Sequence, residues 1–207
     1  ICFLNARSLH RHMNDVRADL NYSSTDVSIF SETRFCVTES SNMYTLEHYT
    51  LFRNDDTSSH NGRPYRGTAV FSRIDYYPGY PYCYNRNGIE VTLIRLMIIP
   101  HITIIAIYRS PAVQIRQLCT TLTEVLSLSL TSKKILIGDF NVNWFNTSER
   151  GPLYNLLVSG CKYRQLVSCS TTDNKTCIDH IYTNLPETEV KVHILETYFS
   201  DHKAIYA

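Results

Sequence analysis

Buried strands that end in polar side chains constrain this chain more than any other feature. The run Ile135-Leu136-Ile137-Gly138-Asp139-Phe140-Asn141 is apolar until Asp139, so it reads as a strand that hands a carboxylate and an amide to the rim of a sheet. Taken alone, an Asp and an Asn after a strand do no more than open a turn. The same delivery recurs, however: Asn5 follows Ile1-Cys2-Phe3-Leu4, Glu32 follows Val27-Ser28-Ile29-Phe30-Ser31, and Tyr108 follows Ile102-Thr103-Ile104-Ile105-Ala106-Ile107. Two more acids stand near the end, Asp179 in Cys177-Ile178-Asp179-His180-Ile181-Tyr182-Thr183-Asn184 and Asp201 in Ser200-Asp201-His202.

Between these strands the apolar period changes. Ile115, Leu118, Leu122, Val125 and Leu126 recur at three and four residues and predict a helix over 113–130. Shorter helices are expected over 11–20 and 153–158, the latter closing near Gly160. Strands are expected over 68–72, 89–99, 103–108, 134–138, 178–183, 190–196 and 203–206, with Pro100-His101 turning one into the next. Residues 54–66 are polar and rich in turn formers and read as a surface connection. The tyrosine-rich stretch 76–86 reads as a proline-kinked connection with its rings packed on the sheet, the rival reading being a base-stacking groove. Strands and helices interleaved in this way predict two packed mixed sheets flanked by helices.

A chain of 207 residues is enough for one large domain with no staples. No apolar run approaches the roughly 18 residues of a membrane span, so no membrane partner is expected. Both ends fall in expected strands, which predicts a domain cut from a longer polypeptide. Seven scattered cysteines without a C-x-x-C pair give neither a zinc site nor a disulfide framework and fit a reducing, nuclear or intracellular compartment. A net charge of +1 excludes a strongly basic nucleic-acid reader but leaves room for a local patch.

The order Asn5, Glu32, Tyr108, Asp139 with Asn141, Asp179, then Asp201 with His202 resembles the endonuclease/exonuclease/phosphatase superfamily, the phosphodiesterases related to abasic-site endonucleases and DNase I. Asn5-Ala6-Arg7-Ser8-Leu9, Ser31-Glu32-Thr33-Arg34 and Tyr108-Arg109-Ser110-Pro111 are most similar to endonuclease domains of mobile elements, of the non-LTR retrotransposon or Helitron-linked type. The resemblance implies a four-layer α/β sandwich, DNA as the partner, Mg²⁺ with Mn²⁺ as the alternative, and a reverse transcriptase or helicase elsewhere in the same polypeptide.

Phosphodiester hydrolysis needs an activated water, neutralised non-bridging oxygens and help for the departing oxyanion. Glu32 is a hard oxygen ligand for the metal, and the resemblance places Asp201 near that metal or its water shell. Asp139 is the candidate to orient or deprotonate the water, and Asn141 to hold that water or a phosphate oxygen. By resemblance Asn5 fixes Asp139 or approaches the metal, Tyr108 offers its phenol to phosphate, and Asp179 keeps His202 charged as a donor to phosphate. His180 follows Asp179 on a strand and is expected to face the other way. Arg7 stands where many relatives carry a second metal-binding Asp or Asn; a guanidinium favours phosphate. Arg7, Asn143 and Thr176 are therefore the expected substrate contacts.

Three rivals remain at this point. An abasic-site repair enzyme typically carries an aromatic wedge before the acid matching Asp179, where this chain has Asn174-Lys175-Thr176-Cys177. A phosphoinositide or sphingolipid phosphatase needs a basic pocket that no segment singles out. A non-catalytic interaction domain is hard to reconcile with competent residues at every position but Arg7.

Overall fold

The computed structural model describes residues 1–60, 63–77, 79–128 and 131–207, with backbone alone at 59, 60 and 63. In chain order the strands are β1 (Cys2–Asn5), β2 (Val27–Ser31), β3 (Thr50–Asn54), β4 (Ser59–His60), β5 (Arg63–Pro64), β6 (Thr68–Ser72), β7 (Tyr82–Arg86), β8 (Ile89–Arg95), β9 (Ile102–Arg109), β10 (Lys133–Asp139), β11 (Arg164–Gln165), β12 (Asp179–Thr183), β13 (His193–Leu195) and β14 (Ala204–Tyr206). The α-helices are α1 (Leu9–Ala18), α2 (Leu20–Ser23), α3 (Ile115–Leu128) and α4 (Thr147–Leu153).

The chain divides into two compact units, Ile1–Asp75 with His193–Ala207, and Tyr76–Val192. In the first, six strands are ordered β13-β14-β1-β2-β6-β3, with β1 and β2 parallel and the other pairs antiparallel. Helix α1 buries Leu9, Met13 and Val16, one stripe at spacings of four and three, against Cys2, Leu4, Phe30, Ala69 and Phe71. Period-2 alternation leaves Phe3, Ile29, Val70 and Ile205 on the opposite face, and they are buried as well.

In the second unit the order is β11-β12-β10-β9-β8-β7, with β9 and β10 parallel. Leu118, Leu122 and Val125 of α3 pack on Ile89, Val91, Leu93, Ile105, Ile107 and Leu136. Burying a side chain of this size is worth about 1.5–3 kcal/mol, so this stripe fixes α3 to one face of the sheet.

Several elements depart from expectation for local reasons. Asp19 is extended and its carboxylate accepts from the Asn21 amide at 2.8 Å, so it ends α1 and caps α2 where one helix over 11–20 was expected. Gly151 and Pro152 do not delay the helix expected at 153. Asn146 caps the amides of Ser148 and Glu149, α4 starts at Thr147, and a wide π-type turn continues through Tyr154–Gly160. The expected connection 54–66 instead contains the antiparallel β4–β5 pair and a half-buried ion pair in which Arg66 donates twice to Asp56, at 3.0 Å each. Tyr82–Arg86 forms the edge strand β7. Residues 61–62 of that connection, Pro78 of the tyrosine-rich stretch and 129–130 of the expected helix lie outside the described residues. Among the described residues no helix is long and apolar enough to cross a membrane.

Candidate active site

Each sheet ends in a polar row on the face away from its helices. In the first unit the register aligns Asn5, Ser31, Thr68 and Asn54 across β1, β2, β6 and β3, all four buried. The chain leaves β2 through Glu32 in the left-handed region, at φ +50°, and this turns the carboxylate back to the row. Asn5 Nδ2 donates to Glu32 Oε1 at 3.0 Å, while Asn5 Oδ1 accepts the Arg7 amide at 3.0 Å. Asn5 thus braces Glu32 within its own rim. The Arg34 guanidinium stands 3.9 Å from Glu32 Oε2.

Arg7 is itself left-handed, at φ +54°. Its guanidinium grips Asp201 in a bidentate pair, Nε to Oδ1 and Nη2 to Oδ2 at 2.7 Å each, and these hydrogen bonds hold the Asp201 carboxyl below the usual carboxylate range. Next to it, Ser200 Oγ donates to the Asn5 carbonyl at 2.7 Å and accepts the His202 amide at 3.1 Å. Thr197 Oγ1 donates to the His202 carbonyl at 2.6 Å. His202 is buried and anchored through its backbone on both sides.

In the second unit the register sets Glu90 opposite Tyr108, Tyr108 beside Asp139, and Asp139 opposite Asp179. Four neighbouring strands therefore carry four titratable side chains in one line. Asp139 and Asp179 are each 1% exposed and Glu90 is 0% exposed. Gly138 makes this line possible, because a Cβ there would sit 1.8 Å from the Ile107 carbonyl oxygen of the neighbouring strand.

Beyond β10 the Asn141 amide donates to Asp139 Oδ1 at 2.9 Å, with Asn141 left-handed at φ +49°. Asn141 Nδ2 donates to the Arg109 carbonyl at 2.7 Å. Thr171 Oγ1 accepts the amides of Ile178 and Asp179 at 3.2 Å and fixes the start of β12. Arg7, Glu32 and Asn141 all sit in a backbone region that side chains enter rarely, and such residues cluster at functional sites.

Of the expected substrate contacts, Asn143 uses its Oδ1 within the rim, accepting from Phe145 at 3.2 Å and Cys177 at 3.3 Å. Thr176 bonds Thr172 through their hydroxyls at 2.7 Å. His180 stacks on Phe140 and bonds the Cys177 carbonyl and the Tyr182 hydroxyl at 3.0 Å each; burial pulls its pKa down to about 4. Glu90 and Arg109 escaped the sequence reading. Glu90 alternates with Ile89 and Val91 and so reads as solvent-facing; the apolar Ile104 and Ala106 on its face of β9 were the available sign that this face is buried.

The profile of the Endonuclease/Exonuclease/phosphatase family matches residues 2–202. The chain belongs to this family. Similar solved structures include a family protein from Leptotrichia buccalis, with TM-score 0.73 and 15% identity, covering 99% of this chain and 96% of that one. An AP endonuclease from Archaeoglobus fulgidus gives TM-score 0.74 and 13% identity with the same coverage. The endonuclease domain of TRAS1, a telomere-specific non-LTR retrotransposon, gives TM-score 0.66 and 17% identity, covering 99% and 94%. No curated protein matches in sequence. These likenesses show the expected fold, an α/β sandwich of two mixed sheets flanked by helices.

Proposed function

We infer that this chain is a divalent-metal-dependent phosphodiesterase that nicks DNA, the endonuclease of a mobile element acting on DNA in the nucleus. The observation that carries the reading is the buried line Glu90-Tyr108-Asp139-Asp179. Carboxylates held next to one another out of water repel, and such an arrangement persists where protons or cations neutralise it. In a member of this family, that is the environment in which a carboxylate takes a proton from water. The mobile-element assignment rests on the motifs around Asn5, Glu32 and Tyr108, and the missing aromatic at 174–177 speaks against abasic repair.

The residues fit a hard divalent cation. Glu32 offers carboxylate oxygens in an orientation set by Asn5, and Mg²⁺ or Mn²⁺ with few protein ligands and several waters suits a rim of this kind. When bound, the ion supplies charge neutralisation at the scissile phosphate. Asp201 belongs to the same rim, and with both of its oxygens held by Arg7 it would act on the ion through the water shell. Asp139 accepts the proton of the attacking water, Asn141 holds that water, Tyr108 and His202 donate to phosphate oxygens, and Asp179 supports the charged imidazole. Arg7, Asn143 and Thr176 face the DNA backbone.

Supercoiled plasmid incubated with the chain and Mg²⁺ should pass to open circles, and EDTA should stop it. Asp139→Asn keeps the shape of the side chain but removes the base, and should cost on the order of 10²-fold or more in rate. Nicking that persists in EDTA, or a fully active Asp139→Asn, overturns the mechanism.

A further inference from the structure

The left-handed turn at Asn141 is held from behind by Arg109, the last residue of β9. Arg109 is 4% exposed, and its guanidinium meets backbone carbonyls. Nε donates to the Phe140 carbonyl at 2.7 Å, and the two terminal nitrogens donate to the carbonyls of Val113 and Asn141. In return the Asn141 side-chain amide donates to the Arg109 carbonyl at 2.7 Å, and the Asn141 backbone amide donates to Asp139 Oδ1 at 2.9 Å. Arg109, Asp139 and Asn141 therefore close one hydrogen-bonded ring around the end of β10.

A buried guanidinium is costly to keep, and an apolar side chain would fill the same volume more cheaply. Burial pulls the Arg109 pKa below its ordinary value, and the negative charges of Asp139 and Glu149 act against that pull. The planar fork offers what no other side chain does: donors rigid enough to bridge three carbonyls at once. Lysine keeps the charge and loses the bridge.

We propose that Arg109 is a positioning residue of this site: by clamping the carbonyls of Phe140 and Asn141 it fixes the turn that aims the Asp139 carboxylate and the Asn141 amide. Its kinetic consequence rests on the phosphodiesterase reading; the clamp itself does not. Small misplacements of reacting groups cost rate far more than binding.

The test compares the unmodified chain with Arg109→Lys and Arg109→Ala in plasmid nicking at saturating Mg²⁺, alongside amide hydrogen exchange. Arg109→Lys should lose on the order of 10²-fold in kcat while KM stays within about twofold. Exchange should accelerate at residues 140–142 and stay unchanged in α3 and in β8. A cleft of about 660 Å³, lined by Arg109, Val113, Gln114, Arg116 and Asn141 among others, opens onto the clamp. Millimolar guanidinium should therefore restore kcat to Arg109→Ala by about tenfold without raising its melting temperature. Should Arg109→Ala fail to fold, Arg109→Lys carries the test alone. A rise in KM with kcat kept, or a loss of kcat that tracks exchange spread through the whole unit, overturns the proposal. If the unmodified chain does not nick DNA, the functional reading fails, and the exchange at 140–142 decides the clamp: no local acceleration in Arg109→Lys overturns it.

Discussion

Arg7 and Asp201 stand 194 residues apart and meet in a two-bond pair on one rim. Their side chains are 49% and 38% exposed, so the pair adds little to stability. What it does is local: it orients both oxygens of Asp201 and keeps them ionised. Arg7→Gln should therefore raise the Asp201 pKa toward the ordinary carboxylate range of about 4, because removing the cation makes the charged form less favourable. Carboxyl NMR titration of the metal-free chain reads this directly, and an unmoved or lowered Asp201 would mean that another group holds it. The same residue shows the limit of spacing as a guide. A guanidinium at position 7 announces an anion, but nothing along the chain says whether that anion is a phosphate or a carboxylate from the far end.

Central strands were legible because burial on both faces writes an apolar run, as in Lys133–Asp139 and Ile102–Arg109. Two of the edge strands were not. Tyr82–Arg86 and Thr50–Asn54 lie at sheet edges, half exposed, where tyrosine, arginine and asparagine are as acceptable as they are in a loop. Site residues that end a strand were readable one by one, but the register that lines Glu90 up with Tyr108 and Asp139 is a property of pairing and leaves no trace within β8. His180 shows the same coupling of neighbours: it follows Asp179 on β12 yet lies among Phe140, Tyr182 and Trp144. Its folded pKa of about 4 lies below the ordinary histidine value of 6.5, so the unfolded chain takes up this proton first, and stability is lost as pH falls from 6.5 toward 4. Between pH 7 and pH 5 the loss from this residue should be about 2 kcal/mol. Urea unfolding at both pH values should show a shallower pH dependence in His180→Gln. An equal slope would mean that His180 is protonated in the folded chain.

On the scale of the whole molecule, the proposed nuclease would choose its substrate by local contacts. With a net charge of +1, long-range attraction to DNA is weak, so selectivity must come from contacts made at the site. An enzyme that selects an abasic gap needs a rigid aromatic or apolar side chain to fill it. The approach to Asp179 is instead a tight turn: the Thr171 amide donates to the Thr176 carbonyl at 2.8 Å, the Thr172 and Thr176 hydroxyls bond at 2.7 Å, and Lys175 takes φ +58°. No aromatic stands between Thr171 and Cys177. On the loop that follows Asp139, Trp144 is committed to Tyr182 and His180, with Arg150 4.7 Å over its face. An abasic duplex then gains only from being easier to bend or unstack. The ratio of kcat/KM for abasic over intact duplex should stay within about tenfold, equivalent to about 1.4 kcal/mol. Measured at fixed salt on matched oligonucleotides, a ratio of several hundred would require a filled gap, and with it a wedge that this turn does not provide, and would transfer the chain to the repair reading.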